Sequence, residues 1–194
     1  MRERPPLLSL QLPDAEFVVC DVETTGLSPE RNRMTEIALA RVAEGRVTER
    51  YSTLINPRQF VPPFITDLTG ISNDMVYEAP DAELILPEAV RFIGSSVFVA
   101  HNARFDRSFV DAALARAGMQ RLENPSLCTA RLARRLTPQL AKKSLGSLAR
   151  HLGIRNPRAH RAAGDAETTA GILLHFLEIL AEEYDLCTLG DLLS

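Results

Sequence analysis

Short apolar runs and amphipathic stretches alternate along the chain, as in strands laid beneath helices. Residues 16–22, EFVVCDV, are apolar and rich in valine, which predicts a buried strand, and TTGLSPERN then supplies the Gly and Pro of a connecting loop. Residues 35–43 (TEIALARVA) and 46–55 (RVTERYSTLI) predict two further strands joined as a hairpin around Glu44 and Gly45. INPRQFVPPF reads as Pro-rich loop, and TGISNDMV predicts a short helix capped by Ser72. DAELILPEAVRFIG predicts a helix with Asp81 as its cap and Gly94 past its end, Pro87 either bending it or marking its true start.

The continuous apolar run VFVA, residues 97–100, predicts an interior strand. ARFDRSFVDAALARAG follows as an amphipathic helix, with Phe105, Phe109, Ala113 and Leu114 near one face and Gly118 at its end. Two shorter helices are predicted in CTARLARRL and SLGSLARHLG. A long one runs from about Asp165 to Tyr184, with Ile172, Leu173, Phe176, Leu177 and Leu180 on one face. Strands come first and then alternate with helices, so an α/β sheet covered by helices is the architecture expected. No internal repeat and no interdomain linker is visible.

Composition narrows this picture only a little. At 194 residues, with 45% apolar and 24% charged positions, the chain fits one globular domain, and disordered and fibrous classes fall away. The opening MRERPPLLSLQLP is basic, but Pro5, Pro6 and Pro13 interrupt it and no small-residue cleavage site follows. The apolar segment ILLHFLEIL carries His175 and Glu178 and is too short to span a bilayer. A cytoplasmic protein without a membrane segment is therefore the expectation. Cys20, Cys128 and Cys187 are far apart, odd in number and without metal-ligand spacing, so they read as reduced thiols with no role.

Charge is distributed unevenly. From Asn124 through Gly164 there is no acid, while the same stretch holds Arg131, Arg134, Arg135, Lys142, Lys143, Arg150, Arg155, Arg158 and Arg161. A protein with a net charge of −3 can still bind nucleic acid if such a surface faces the phosphates. For any single arginine a solvated helix face is the simpler account; for the whole run, phosphate attraction fits better.

Three short segments carry the chemistry. In CDVETTG, strand alternation puts Asp21 and Glu23 on one face at the end of an apolar strand, where two acids repel each other unless a cation or proton compensates. In VAHNARFDRSF, Asp106 falls in the first turn of a helix, a place that also favours acids through the backbone dipole alone. In AHRAAGDAETT, His160 and Asp165 are five residues apart, a rotation of roughly 140° on a continuous helix. Asp165 is thus expected to begin the last helix, with His160 on the preceding loop and Gly164 letting the backbone turn. Phosphodiester hydrolysis needs such a set. Mg²⁺ takes carboxylate and water oxygens, two ions about 4 Å apart can serve an in-line displacement, and a histidine can take the attacking water's proton near neutral pH. The Cys ligands of structural zinc, a phosphate-binding GxxxxGK[ST] loop and a GxSxG elbow are all absent from the sequence.

DVETTG, HNARFD and HRAAGDAE together resemble the three motifs of the DEDDh branch of the DnaQ-like 3′–5′ exonucleases, over roughly residues 16–180. The similarity extends to the exonuclease domains of bacterial DNA polymerase III epsilon subunits. It implies a ribonuclease H-like three-layer α/β fold, with a mixed central sheet of about five strands flanked by helices. The expected division is an extension over residues 1–14, an exonuclease domain over 15–185 and a tail over 186–194. The resemblance also implies two divalent ions, Mg²⁺ or Mn²⁺. Asp21, Glu23 and Asp165 would hold one ion, Asp21 would bridge to the other, and Asp106 would support the second site. His160 would be the general base and touch substrate. Thr24, Thr25, Gly26 and Leu27 would line the pocket for the 3′-terminal nucleotide, Leu68 and Thr69 would lie near its base, and Asn102 and Phe105 would shape contact with the strand, Phe105 being equally at home in the core.

The implied activity releases 5′-mononucleotides from 3′ ends, with single-stranded or frayed DNA favoured over RNA. A ribonuclease similar to ribonuclease T or oligoribonuclease shares the same catalytic set, and a non-catalytic nucleic-acid-binding module is a further alternative. Proofreading or repair beside a DNA polymerase is compatible with the resemblance, although the short tail favours a stand-alone nuclease.

Overall fold

In the computed structural model, residues 9–156, 158–184 and 188–193 are described; Pro5, Pro6 and Cys187 lie outside them. Five strands form one mixed sheet: β1 (Phe17–Thr24), β2 (Met34–Ala43), β3 (Arg46–Leu54), β4 (Val97–Ala100) and β5 (Ser126–Cys128), in the spatial order β3-β2-β1-β4-β5. The hairpin strands pair antiparallel with each other and with β1, whereas β1, β4 and β5 run parallel. The helices are α1 (Pro63–Thr69), α2 (Asn73–Tyr77), α3 (Ala82–Ile93), α4 (Ala103–Arg116), α5 (Thr129–Leu136), α6 (Leu145–His151), α7 (Ala162–Glu183) and α8 (Leu189–Leu193). This is the three-layer ribonuclease H-like arrangement that the sequence pointed to.

Alternation along β1 sorts its side chains between two apolar cores. Val18, Cys20 and Val22 pack toward α3 and α4 with Ile85, Phe109 and Leu114. Phe17 and Val19 pack toward α7 with Ile172, Leu173 and Phe176. Burying both faces explains why the central strands read as nearly unbroken apolar runs. Leu12, Leu189 and Leu192 join the α7-side core, and Gln11 bridges Thr188, so residues near both termini contribute to the same packed unit.

Several local expectations are refined. Ser72 caps α2 by accepting from the Met75 amide at 3.3 Å. Asp81 sits at the N-cap of α3, but its carboxylate is taken by Arg58 at 2.6 and 2.7 Å instead of capping the helix. Pro87 is accommodated inside α3. The Pro-rich stretch leads directly into α1, because Pro63 at the first helical position needs no amide partner. The strand Ser126–Cys128 escaped the hydrophobic pattern, since three residues are too few to show a period.

Candidate active site

On the α7 side of β1 the apolar pair Phe17 and Val19 gives way to Asp21 and Glu23, each half-buried at the end of the strand. Opposite Glu23 in the antiparallel register stands Glu36 of β2. A register shift between Glu23 and Thr24 bends the strand, and the ladder closes one pair later with Thr24 opposite Met34. The Thr24 hydroxyl donates to the Gly26 carbonyl at 2.7 Å, and that of Thr25 donates to Gln59 Oε1 at 2.6 Å while accepting from the Arg33 amide at 3.1 Å. A side chain at Gly26 would collide with the Asn32 amide group, which accepts from the Ser28 amide. Leu27 is left 84% exposed at the tip of this braced loop.

Asp106 arrives from the other layer. Pairing of β1 with β4 ends at Val19 and Val99, which leaves the later β1 amides on the β4 side without a sheet partner. The chain turns through Asn102, in the left-handed region at φ +79, into α4, and the buried Asp106 carboxylate accepts from the Val22 amide at 3.2 Å. Asn102 itself is exposed, and Phe105 is half-buried against Phe109 with ring centroids 4.9 Å apart. The adjacent His101 ring sits between the Thr129 hydroxyl at 3.0 Å and the Lys143 carbonyl at 2.8 Å. Lys143 in turn donates from Nζ to the carbonyls of Thr137 and Leu140.

The third segment meets these two at the start of α7. The helix begins at Ala162, three residues before the expected point, and Asp165 lies in its first turn. Asp165 accepts from Asn156 Nδ2 at 2.6 Å through one oxygen and from the His160 amide at 3.2 Å through the other. His160 occupies the preceding turn, exposed, with φ +62, and its ring makes no hydrogen bond among the described residues. The left-handed turn thus falls at His160 and not at Gly164, which is helical. A side chain at Gly164 would drive into the Arg158 carbonyl, so the absence of one lets the turn fold back on the helix.

Arg161 departs from the expectation of a phosphate-facing surface: its guanidinium grips the buried Glu36 at 2.8 and 3.1 Å. Lys143 is likewise engaged internally, whereas Arg131, Arg134, Arg135, Lys142, Arg150, Arg155 and Arg158 are exposed and form no ion pair among the described residues. Leu68 is 52% exposed on α1; Thr69 turns inward, donating to the Ile65 carbonyl and accepting from the Ile71 amide.

Asp21, Glu23 and Asp165 offer oxygen atoms that all lie within 4.8 Å of one another. Asp106 stands outside that trio, yet its charge acts on Asp21. Burial, then the charges of Asp106, Asp165, Glu23 and Glu36, hold the Asp21 carboxyl well above the usual range. Burial and the neighbouring acids push Glu23 up to about 8, opposed by Arg161. Burial raises Asp106 to about 7 against the amide hydrogen bonds that favour its charged form. Crowded carboxyls that retain protons near neutrality gain by exchanging them for a cation. An all-oxygen donor set suits Mg²⁺ or Mn²⁺ better than softer metals.

Sequence reasoning missed Glu36 and Asn156. A lone acid inside the apolar stretch TEIALA hinted at Glu36, but its partner is set by strand register; Asn156 gave no local signal.

Fold and site together define a nuclease built around clustered carboxylates on a ribonuclease H-like sheet. The chain belongs to the exonuclease family, whose model matches residues 18–173, and it is an enzyme of the 3′–5′ class. It is 38% identical to the DNA polymerase III subunit epsilon of Aquifex aeolicus over 186 residues, covering 95% of this chain and 92% of that one. A DNA polymerase III PolC-type protein of Clostridium perfringens is 40% identical over 173 residues; the match spans 89% of this chain but only 12% of the polymerase. Among solved structures, Exonuclease X in complex with 5′ overhanging duplex DNA superimposes with a TM-score of 0.72 at 27% identity, covering 92% and 99% of the two chains. Exonuclease I of E. coli in complex with a dT13 oligonucleotide shares the fold, with a TM-score of 0.78 at 18% identity over 89% of this chain and 43% of that one. No helix among the described residues is long and apolar enough to cross a membrane.

Proposed function

We propose that the enzyme removes 5′-mononucleotides from single-stranded or frayed 3′ ends of DNA, with His160 as general base. The convergence of Asp21, Glu23 and Asp165 within 4.8 Å carries this reading, because such a group is stable near neutral pH only with bound cations or protons. Asp21, Glu23 and Asp165 would hold one divalent ion, and Asp21 with Asp106 would serve a second. Such ions, when bound, would supply positive charge to neutralise the scissile phosphate and lower the barrier to attack by water. His160, exposed on a turn fastened to Asp165 through its backbone, is free to swing its ring to the attacking water and accept its proton. Thr24, Thr25, Gly26 and Leu27 receive the terminal nucleotide: the two hydroxyls hold the loop rigid, and exposed Leu27 meets the base. Leu68 lies near that base, and Asn102 and Phe105 flank the strand. The names of the epsilon and PolC-type relatives support a DNA substrate and association with a polymerase.

The test is a DNA and an RNA of identical sequence, 3′-end-labelled, assayed side by side with matched and mispaired termini, with and without Mn²⁺. Metal-dependent release of labelled mononucleotide from DNA, faster at mispaired ends, is the expected result. Faster release from RNA overturns the substrate reading, and unchanged hydrolysis by His160→Ala overturns the base.

A further inference from the structure

Glu36 is a buried acid facing the site, yet its carboxylate is already spent. Its side chain is 6% exposed and receives three hydrogen bonds from the segment that opens α7: Arg161 Nε at 3.1 Å, Arg161 Nη2 at 2.8 Å and the Ala162 amide at 2.9 Å. The N-cap position of α7, Arg161, supplies no side-chain cap of its own. A carboxylate on β2 therefore satisfies a first-turn amide of a 22-residue helix from across the fold, where the helix dipole also favours negative charge. From this anchor the links run directly to the functional groups. The Arg161 carbonyl accepts from the Asp165 amide at 3.0 Å, and the Asp165 carboxylate holds the His160 amide.

The pair also governs charge. Glu36 is the strand partner of Glu23, so the guanidinium it restrains lies within electrostatic reach of a site carboxyl, where it favours the charged form of Glu23. Freed from Glu36, that guanidinium would turn to Glu23, the site carboxylate it already acts on, and compete with a divalent ion for its oxygens.

We propose that Glu36 and Arg161 form the positioning element of this active site: Glu36 sets where α7 begins, and thereby where Asp165 and His160 stand, while keeping Arg161 off the metal-binding carboxylates. The inference rests on the proposed reading of the acidic cluster.

Three proteins test it, Glu36→Gln, Arg161→Gln and the double variant, each checked for folding by circular dichroism. Mn²⁺ binding is measured by electron paramagnetic resonance, and kcat and KM on a single-stranded oligonucleotide. Glu36→Gln is expected to weaken Mn²⁺ binding and lower kcat, each about 10-fold, the scale on which groups that orient ligands act, with KM nearly unchanged. The double variant removes the competing cation, so its Mn²⁺ affinity returns to near the wild-type level while kcat stays low. If Glu36→Gln fails to fold, the double variant, which buries no unpaired charge, carries the test through that split between metal affinity and kcat. Wild-type Mn²⁺ affinity and kcat in Glu36→Gln, equal Mn²⁺ weakening in the single and double variants, or a double variant with wild-type kcat overturns the clamp. A wild-type protein that binds no Mn²⁺ overturns the reading of the cluster itself.

Discussion

The metal-free protein is expected to lose stability as pH rises through the neutral range, and Glu23 is the residue that makes this measurable. Its folded-state pKa of about 8 lies above the ordinary value of 4.5. Below the ordinary value both folded and unfolded chains carry the proton. Between the two values only the folded chain holds it, so each pH unit shifts the balance toward unfolding by about 1.4 kcal/mol. Asp21 and Asp106, also raised, add losses of the same sign; Glu23 alone would contribute about 5 kcal/mol over the full interval, discounted to about 2–4 kcal/mol for its partial exposure to solvent. For a chain of this size that is a fall in Tm of about 10 °C between about pH 5 and pH 8.5. The assay is thermal unfolding in EDTA across that range, repeated with Mg²⁺ and with Glu23→Gln. His101, whose pKa burial lowers, contributes in the opposite direction, and comparison with Glu23→Gln cancels it. Mg²⁺ at about 100 times its Kd restores roughly 2.7 kcal/mol at the alkaline end. A metal-free Tm that stays level or rises, or a Glu23→Gln protein that falls as steeply as the wild type, refutes the argument.

Asn156→Ala removes the amide that holds one oxygen of Asp165; kcat should fall about 10-fold with Tm within a few degrees of the wild type, read by steady-state kinetics beside a melting curve. Gly164→Ala forces a methyl group into the Arg158 carbonyl, which should destabilise the fold by about 1–3 kcal/mol and lower turnover by displacing the His160 turn, measured by denaturant unfolding. Replacing the exposed Arg131, Arg134 and Arg135 together by Gln should weaken single-stranded oligonucleotide binding and flatten its dependence on salt by up to about two counterions, read from a titration series at several salt concentrations. An unaltered slope would return those arginines to a solvated helix face.

The order of the longer strands and helices was legible because β1 and β2 are nearly continuous apolar runs and α7 repeats its apolar face over 22 residues, whereas the short β5 and α1 left no such signal. Pairing of Asp21 with Glu23 was equally legible, since two-residue spacing on a strand fixes a shared face. Local spacing also separated His160 from the helix that carries Asp165. It mislocated the turn, because glycine at Gly164 signals freedom of φ and close approach alike, and only the position of the Arg158 carbonyl distinguishes them.

What the sequence determined by itself is which residues are candidates for the chemistry, because motif order and alternation are properties of neighbours along the chain. Tertiary structure alone decided which of those residues are free to use it. Arg161 and Lys143 look identical in sequence to the basic residues around them, yet Glu36 and the carbonyls of Thr137 and Leu140 occupy them. Glu36 looks like any strand acid, yet β-sheet register sets it beside Glu23 and against the start of α7, 126 residues away along the chain. Partners at that separation are chosen by packing of the whole domain, and no local pattern records them.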